Sequence, residues 1–471
     1  MILAELSRIV GERYVLRGEA ERLVYETDAF TLERVRPQAV VLPGSPQEVQ
    51  AVVTALARAG IPFVPRGAGT SLSGGALAWS EGVIIGLARL RRILEVDLRN
   101  RRAVVETGLV NLKLTRAVEG RGYLFAPDPS SQGACTIGGN VAENSGGPHT
   151  LKYGVTVNHV LGVHVVLPDG QDVWLGSKLD ELPGYDLVGL FVGSEGTFGI
   201  ATEAVVRLIR QPQAWRTMLA IFDSVEAATQ TVSDIIAAGI LPAALEMMDR
   251  MIIEAVEAAF GFGFPPDAAA VLIIELDGVE AGLDAQAAAV RQVCERRGAR
   301  EVRLAGTEAE RNRLWASRKR AFGAVGRLSP SYVTQDGVIP RTRLPEVLRT
   351  IAAIGERYGL RIANVFHAGD GNLHPILLFD ERDADETRRV LSASEEILRA
   401  CVAVGGSVTG EHGIGVEKIQ HLPLMFSPED LSVMLALRSV FDPHSQCNPG
   451  KVFPTTKTCY EIARPRPRAA L

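Results

Sequence analysis

Three histidines and one glutamate fall into two short, glycine-flanked stretches of this 471-residue chain. The first, Ile362 to Phe379, reads IANVFHAGDGNLHPILLF. Two apolar runs flank Gly369-Asp370-Gly371-Asn372, and Asp-Gly is a strong signal for a two-residue hairpin turn. With Asp370-Gly371 as that turn, His367 and His374 are directly opposed on one face, their Cβ atoms about 5 Å apart. Imidazoles so placed reach one metal ion at about 2 Å from each nitrogen. Taken alone, the pair reads more readily as two satisfied polar residues at a strand end. The second stretch, Gly406 to Gly415, reads GSVTGEHGIG. In a regular strand Glu411 and His412 point apart. The flanking glycines permit a distorted loop in which both serve one site. Two histidines and a carboxylate, with coordination positions left open, make a catalytic divalent-metal set. The remaining histidine is then free to act as a base.

A different chemistry is suggested by Pro65 to Gly75, PRGAGTSLSGG, which follows an expected strand. Gly67 and Gly69 let backbone N–H groups turn inward, and Thr70, Ser71 and Ser73 add hydroxyls. Such a nest suits a pyrophosphate. It is neither a G-x-G-x-x-G fingerprint nor a Walker A loop, and by itself reads equally as a plain tight loop. It does not stand by itself. Asp128 to Gly133, Thr136 to Asn140, Asn144 to Gly147, His149 to Gly154 and Gly193 to Ile200 supply further glycine-rich turns.

The elements that position these residues follow from periodicity and caps. Ala39 to Leu42 is an expected strand. Ser45-Pro46-Gln47-Glu48 opens a helix with Ser45 as N-cap and Glu48 closing a capping box. Val49, Val52, Val53 and Leu56 form its buried stripe. Gly60 ends it, Ile61 to Val64 is the next strand, and Val83 to Leu87 and Ala103 to Glu106 are further ones. His159 to Leu167, Pro168-Asp169-Gly170 and Gln171 to Leu175 read as a hairpin. Beyond Pro212 come Ala-rich helices (Ala227 to Ala238, Ala285 to Arg297) with a strand, Ala270 to Leu276, between them. Thr307 and Glu310 form a capping box opening a helix through Trp315 and Arg318. The last helix lies within Leu431 to Phe453.

Composition narrows the class. Apolar residues are 46% and charged residues 22%, ordinary for a soluble globular protein, and the length suggests roughly three domains. A net charge of -5 gives no nucleic-acid footprint. No apolar run reaches the roughly 18 residues of a spanning helix, and Met1 to Glu12 reads as an amphipathic helix, not a signal peptide. Cys135, Cys294, Cys401, Cys447 and Cys459 are odd in number and far apart, which suggests a reducing compartment. No C-x-x-C pair exists, so no iron–sulfur site is expected. The tail after Ile462, ARPRPRAAL, reads as a basic end. Glycine is in excess, at 47 residues against about 7% in average proteins. Twenty of the 47 lie in just five segments, 66–75, 133–154, 193–199, 367–374 and 405–415, so the bias is local to the candidate sites.

The nest and the turns that follow it, in this order, resemble the FAD-binding domain of the vanillyl-alcohol-oxidase type flavoproteins over most of residues 35–210. The resemblance implies an α+β chain: a two-subdomain FAD-binding domain over 1–211, a substrate- and metal-binding α+β cap over 212–425, and a C-terminal segment, 426–471, returning toward the FAD domain. It implies that Arg66, Gly67, Ala68, Gly69, Thr70, Ser71 and Leu72 cradle the FAD pyrophosphate. Pro127, Asp128, Pro129, Ser131, Ala134, Cys135, Gly138, Gly139, Asn144, Gly146, Gly147, Tyr153, Gly154 and Ile200 would line the rest of the cofactor, and Asn448 would touch the flavin. No histidine lies between Pro65 and Gly75, so dissociable FAD is expected; Cys135 reads as a buried structural thiol.

HAGDGNLH and GEHGIG resemble the C-terminal domain of the flavin-linked D-2-hydroxyacid dehydrogenases. That resemblance implies His367, His374 and Glu411 as ligands of a divalent metal, often zinc. It implies His412 as general base, and Arg318, in W-x-x-R, as the residue that pairs with the substrate carboxylate. The competing reading of Arg318 is one charge among several on a solvated helix, beside Arg313, Lys319 and Arg320. Positions that hold a second carboxylate in relatives acting on dicarboxylates fall on Phe322 and Thr334, neither a cation. A monocarboxylate, glycolate or D-lactate, is therefore expected. Asp336 to Val347, Asn364 to Asp380, Gly405 to Lys418 and Phe441 to Pro454 are similar to the glycolate-oxidising branch. That branch pairs such a chain with a second FAD-type subunit and an iron–sulfur subunit. A cytoplasmic location is expected, with membrane association only through partners. A self-sufficient D-lactate dehydrogenase, a flavin-free metal hydrolase and a non-catalytic FAD-binding assembly subunit stand as the alternatives.

Overall fold

The computed structural model describes residues 2–179 and 183–453. Cys459, the basic tail and the end of the 441–454 stretch lie outside the described residues. The chain divides into two units. The first comprises Met1–Gly146, Val155–Gln211 and the chain from Glu411 on; the second comprises Gly147–Gly154 and Pro212–Gly410. The change at 211/212 falls where the composition shifts. The cap, expected to run to residue 425, gives way at Gly410, and the short segment 147–154 goes with the second unit.

In the first unit, strands Ala39–Val41, Val83–Gly86 and Phe63–Arg66 are parallel and adjacent, with Val15–Leu16 antiparallel at the edge. Parallel strands need both faces covered, and Val40, Val64, Ile84, Val41, Phe63 and Ile85 are all buried. Helix Pro46–Arg58 makes the crossover, burying Val49, Val52, Val53 and Leu56 as its periodicity predicts. Ser45 Oγ accepts from Glu48 N at 3.1 Å. The Glu48 carboxylate accepts from Gly44 N, one residue before the expected partner. A second, antiparallel sheet of five strands includes the expected hairpin, Val160–Val166 with Asp172–Gly176. Helices Asn111–Val118 and Ile137–Glu143 pack on this sheet through Leu114, Val118, Ile137 and Val141. After helix Pro428–Phe441 the chain returns to the parallel sheet. Phe63 N donates to Gln446 O at 2.9 Å and Asn448 N to Phe63 O at 2.8 Å.

The second unit is built on a nine-stranded sheet. Its strand Ala270–Gly278 lies between Ala214–Phe222 and Ala244–Asp249, each antiparallel to it. Ala244–Asp249 then pairs with Arg361–His367, which sets Glu246 directly opposite His367. The expected helices are present as Val225–Ala237, Leu283–Arg296 and Glu308–Lys319. The histidine hairpin forms in a different register. His367 pairs with Asn372 and Asn364 with Pro375, so four residues, 368–371, make the turn. His367 and His374 are therefore diagonal neighbours and not directly opposed. A shift of two residues preserves the face, because side chains alternate with period two. Among the described residues no helix is long and apolar enough to cross a membrane.

Candidate active site

In the second unit a buried carboxylate sits between an imidazole and a guanidinium. Glu246 comes from strand Ala244–Asp249, His367 from the neighbouring strand and Arg318 from the last turn of helix Glu308–Lys319. His367 Nδ1 lies 2.8 and 3.0 Å from the two Glu246 oxygens. Arg318 Nε lies 2.6 Å from Oε2. The helix is opened by the expected Thr307–Glu310 box, and Trp315 and Arg318 are its buried residues together with Ser317. Arg318 is 1% exposed, whereas Arg313, Lys319 and Arg320 face water. The solvated-face reading of Arg318 is thereby overturned. None of its three guanidinium nitrogens makes an aligned hydrogen bond to a described residue; the contact with Glu246 is an ion pair only. Buried guanidinium donors left open are costly unless a ligand takes them.

His374 is also buried. Its ring centroid is 5.1 Å from that of His367 at an interplanar angle of 85°, and Phe322 stands edge-on to it at 6.2 Å. His374 Nδ1 lies 3.9 Å from Asp336 Oδ1. Asp336 also accepts from Thr409 Oγ1 at 2.6 Å and Gly410 N at 2.9 Å. It thus anchors the last residues of the second unit, at the point where the chain goes on to Glu411 and His412. Gly371 makes the tight loop possible. Its φ is +83°, and a Cβ there would fall 2.0 Å from the Ile339 carbonyl oxygen.

A second anchor in this unit holds the 147–154 segment. Tyr153 Oη donates to Asp277 Oδ2 at 2.6 Å, and Lys152 Nζ donates to the Asp277 carbonyl at 2.6 Å. His149 packs against Trp315 with centroids 5.2 Å apart and has Nε2 3.4 Å from Glu275 Oε1. Glu275, wholly buried, also accepts from both ends of the Arg311 fork, from Trp315 Nε1 and from Thr217 Oγ1. Burial alone would raise its carboxyl, but hydrogen bonds from His149 and Arg311 outweigh it and hold it well below the usual range. Of the residues assigned to FAD, Gly147, Tyr153 and Gly154 belong here, and the Tyr153 hydroxyl is engaged by Asp277.

The nest lies in the first unit, between strands Phe63–Arg66 and Val83–Gly86. No backbone N–H from Gly67 through Gly75 donates to an acceptor among the described residues. A run of open amides fits a phosphate-bearing group. The loop packs tightly on the turn behind it, since a Cβ at Gly67 would fall 2.5 Å from Thr136 Oγ1. That oxygen caps helix Ile137–Glu143 through Gly139 N. The Arg66 guanidinium packs against Gly69 of the nest and donates to the Thr27 and Ala76 carbonyls, so it serves as a clamp. Asn144 caps the same helix in a left-handed conformation and accepts from Val157 N. Pro127 O accepts from Asn111 Nδ2, and Ser131 O accepts from Ala134 N and Cys135 N. Cys135 is a buried free thiol, its pKa raised by burial. Ile200 is buried at a strand start. Asn448 donates from Nδ2 to Gly75 O at 3.0 Å and Glu195 O at 2.7 Å; its Oδ1 is buried without a partner among the described residues. Open amides and an open amide oxygen suit a flavin dinucleotide.

Glu411 and His412 begin the C-terminal part of this unit, with His412 Nε2 3.9 Å from Glu411 Oε1. Their loop is held from below. Ser73 Oγ donates to His412 O at 2.8 Å, and Glu195 accepts from Ile414 N and Gly415 N, both at 2.7 Å. Burial raises the Glu195 carboxyl against these bonds, and burial and Glu195 together raise that of Glu143. Sequence reasoning missed Glu195, Asp336 and Glu246. Their common signal is a carboxylate inside an apolar or glycine-rich run, where an unpaired charge is costly; LEMMD is the clearest case.

Comparison with known proteins identifies the family. Residues 37–176 match the family described as FAD binding domain, and residues 211–452 match the family described as FAD linked oxidases, C-terminal domain. The chain is 47% identical over 461 residues to glycolate oxidase subunit GlcD of Escherichia coli (strain K12), covering 98% of this chain and 92% of that one. It is 32% identical over 470 residues to D-lactate dehydrogenase of Anaerostipes hadrus, covering 98% of each. The crystal structure of p-cresol methylhydroxylase with substrate bound is similar at a TM-score of 0.80 and 17% identity over 96% of each chain, a likeness of fold alone. The vanillyl-alcohol-oxidase type fold expected from the motifs is the fold of this chain. With an FAD-binding domain followed by the matching C-terminal domain, the chain is an FAD-linked oxidoreductase and belongs to the FAD-linked oxidase family.

Proposed function

We propose that this protein oxidises a small 2-hydroxy monocarboxylate, glycolate and also D-lactate, to the 2-oxo acid. The observation that carries the reading is Arg318, buried with open donors in the unit that also pairs His367 with His374. A guanidinium fork matches one carboxylate bidentately and holds the α-carbon in place. Phe322, edge-on to His374, and Thr334 offer no cation for a second carboxylate, which favours a monocarboxylate. His412 accepts the substrate hydroxyl proton, as an imidazole titrating near working pH can.

FAD would be held non-covalently by the 67–75 amides and Asn448 and would supply the hydride acceptor, flavin N5. A divalent ion, zinc by our reading, would be held by His367, His374 and Glu411 and would supply Lewis acidity toward the substrate oxygens. The chain offers no cysteine cluster, and its described cysteines are free and buried. By our reading the electrons pass to a partner subunit or a quinone rather than to NAD. The relative named as a glycolate oxidase subunit supports a multisubunit assembly, whose other members by our reading are a second FAD-type subunit and an iron–sulfur subunit. A cytoplasmic location, with membranes reached only through those partners, completes the reading. The relative named D-lactate dehydrogenase favours a second reading, D-lactate as the main substrate; we take a self-sufficient enzyme as its form, and quinone reduction by the isolated chain would select it.

The test is anaerobic mixing of the FAD-loaded protein, metal present, with glycolate, D-lactate, L-lactate and D-2-hydroxyglutarate. Glycolate and D-lactate are expected to bleach the flavin, and His412→Ala to abolish bleaching while FAD stays bound. Absence of bleaching by every 2-hydroxy acid overturns the reading. A colourless protein that FAD cannot reconstitute would favour a flavin-free hydrolase.

A further inference from the structure

Glu246 is a buried carboxylate with two basic neighbours. It faces His367 across a strand pair, with both of its oxygens within 3.0 Å of Nδ1. It also holds Arg318 at 2.6 Å. A carboxylate buried this completely is tolerated only where its charge is compensated. Here the compensation comes from the guanidinium, and the hydrogen bond goes to the imidazole.

Two consequences follow from that division. A carboxylate at Nδ1 directs the Nδ1–H toward itself, so the other nitrogen, Nε2, presents its lone pair, and ring orientation and ligand basicity are set together. The same carboxylate restrains Arg318 through one edge, so the rest of the fork stays open in a buried site. The two basic groups thus share a single counter-charge. Whatever strengthens the claim of one on Glu246 weakens the claim of the other.

We propose that Glu246 is a positioning residue that couples divalent-metal binding at His367 to the charge state around the carboxylate-binding Arg318. The inference rests on the function proposed above. Its particular consequence is that the two partners of Glu246 have opposite effects on metal affinity. Removing the Glu246 charge leaves His367 unsupported and a cation nearby uncompensated, and weakens metal binding. Removing the Arg318 charge frees Glu246 for the imidazole, takes a cation away from the metal, and strengthens it.

The experiment is calorimetric titration of the full-length, FAD-loaded, chelator-stripped protein with zinc ion alone, no substrate present. Glu246→Gln is expected to weaken zinc binding about 10- to 100-fold, the range seen when outer partners of metal ligands are removed. Arg318→Met is expected to tighten it several-fold. A variant damaged in folding would only lose affinity, so the opposite signs separate positioning from structural loss. Wild-type protein that binds zinc, with Glu246→Gln binding it equally well, overturns the inference alone. Arg318→Met weakening zinc as Glu246→Gln does overturns the coupling. Wild-type protein that binds no zinc overturns the metal-dependent function and this inference with it.

Discussion

At the scale of single residues, burial assigns roles that residue type leaves open. Arg318 and Arg320 are two positions apart on one chain, yet one is sealed with open donors and the other faces water. The same holds for acids. Asp249 caps helix Arg250–Phe260 through Ile252 N and accepts from the Asn364 backbone and side-chain nitrogens. Burial still pushes its carboxyl up to about 6, against those bonds. Its folded-state pKa is thus above the unfolded value of about 3.9. The native state holds the proton more tightly, so its stabilisation is complete below pH 4 and is lost as pH rises through 6. Relative to Asp249→Asn, the wild type is expected to lose on the order of 3 kcal/mol between pH 4 and pH 7. Chemical denaturation of both proteins across that window measures this. A constant difference would show that the native carboxyl is not held protonated.

At the scale of elements, the histidine hairpin depends on its loop as much as on its strands. A four-residue turn needs Gly371 at φ +83°, against the Ile339 carbonyl. An alanine there meets fixed backbone on both counts. Gly371→Ala is expected to cost about 2–4 kcal/mol, read as a lowered thermal midpoint. Its zinc affinity is expected to fall as well, because the same loop spaces His367 from His374. A variant as stable as the wild type, binding zinc normally, would show that the turn tolerates a different path. The Gly67 loop is similar in kind. There the neighbour is the Thr136 hydroxyl that caps a helix, so the nest and that helix are set together.

At the scale of the whole molecule, the cofactor and metal groups divide between the two units. The open amides of 67–75, Asn448 and Glu411 are in the first; His367, His374, Arg318 and Glu246 are in the second. FAD at a hundred times its Kd is expected to add about 2.7 kcal/mol of stability, seen as a rise in thermal midpoint with FAD concentration. Dialysis against a chelator is expected to remove metal and leave the flavin absorbance intact. Loss of flavin along with the metal would show that the two sets are not separable in this way.

Much of this was local enough to read without a fold. The nest loop, the capped helices at Ser45 and Thr307 and the 160–176 hairpin are written in neighbouring residues. Each depends on φ preferences, caps or period, which act over a few positions. What could not be read depends on contacts between distant segments. The hairpin register shifted by two because the strand Ala244–Asp249 and the Ile339 backbone, far off in sequence, decide where the loop closes; only the face survived, since the pleat conserves it. The 147–154 segment joined the second unit through Glu275 and Asp277, more than 120 residues on. Glu246 meets His367 and Arg318 through a strand pairing between residues 121 positions apart. Charges compensated at that range leave no pattern in the neighbouring residues, so tertiary structure alone decided which acids support the site.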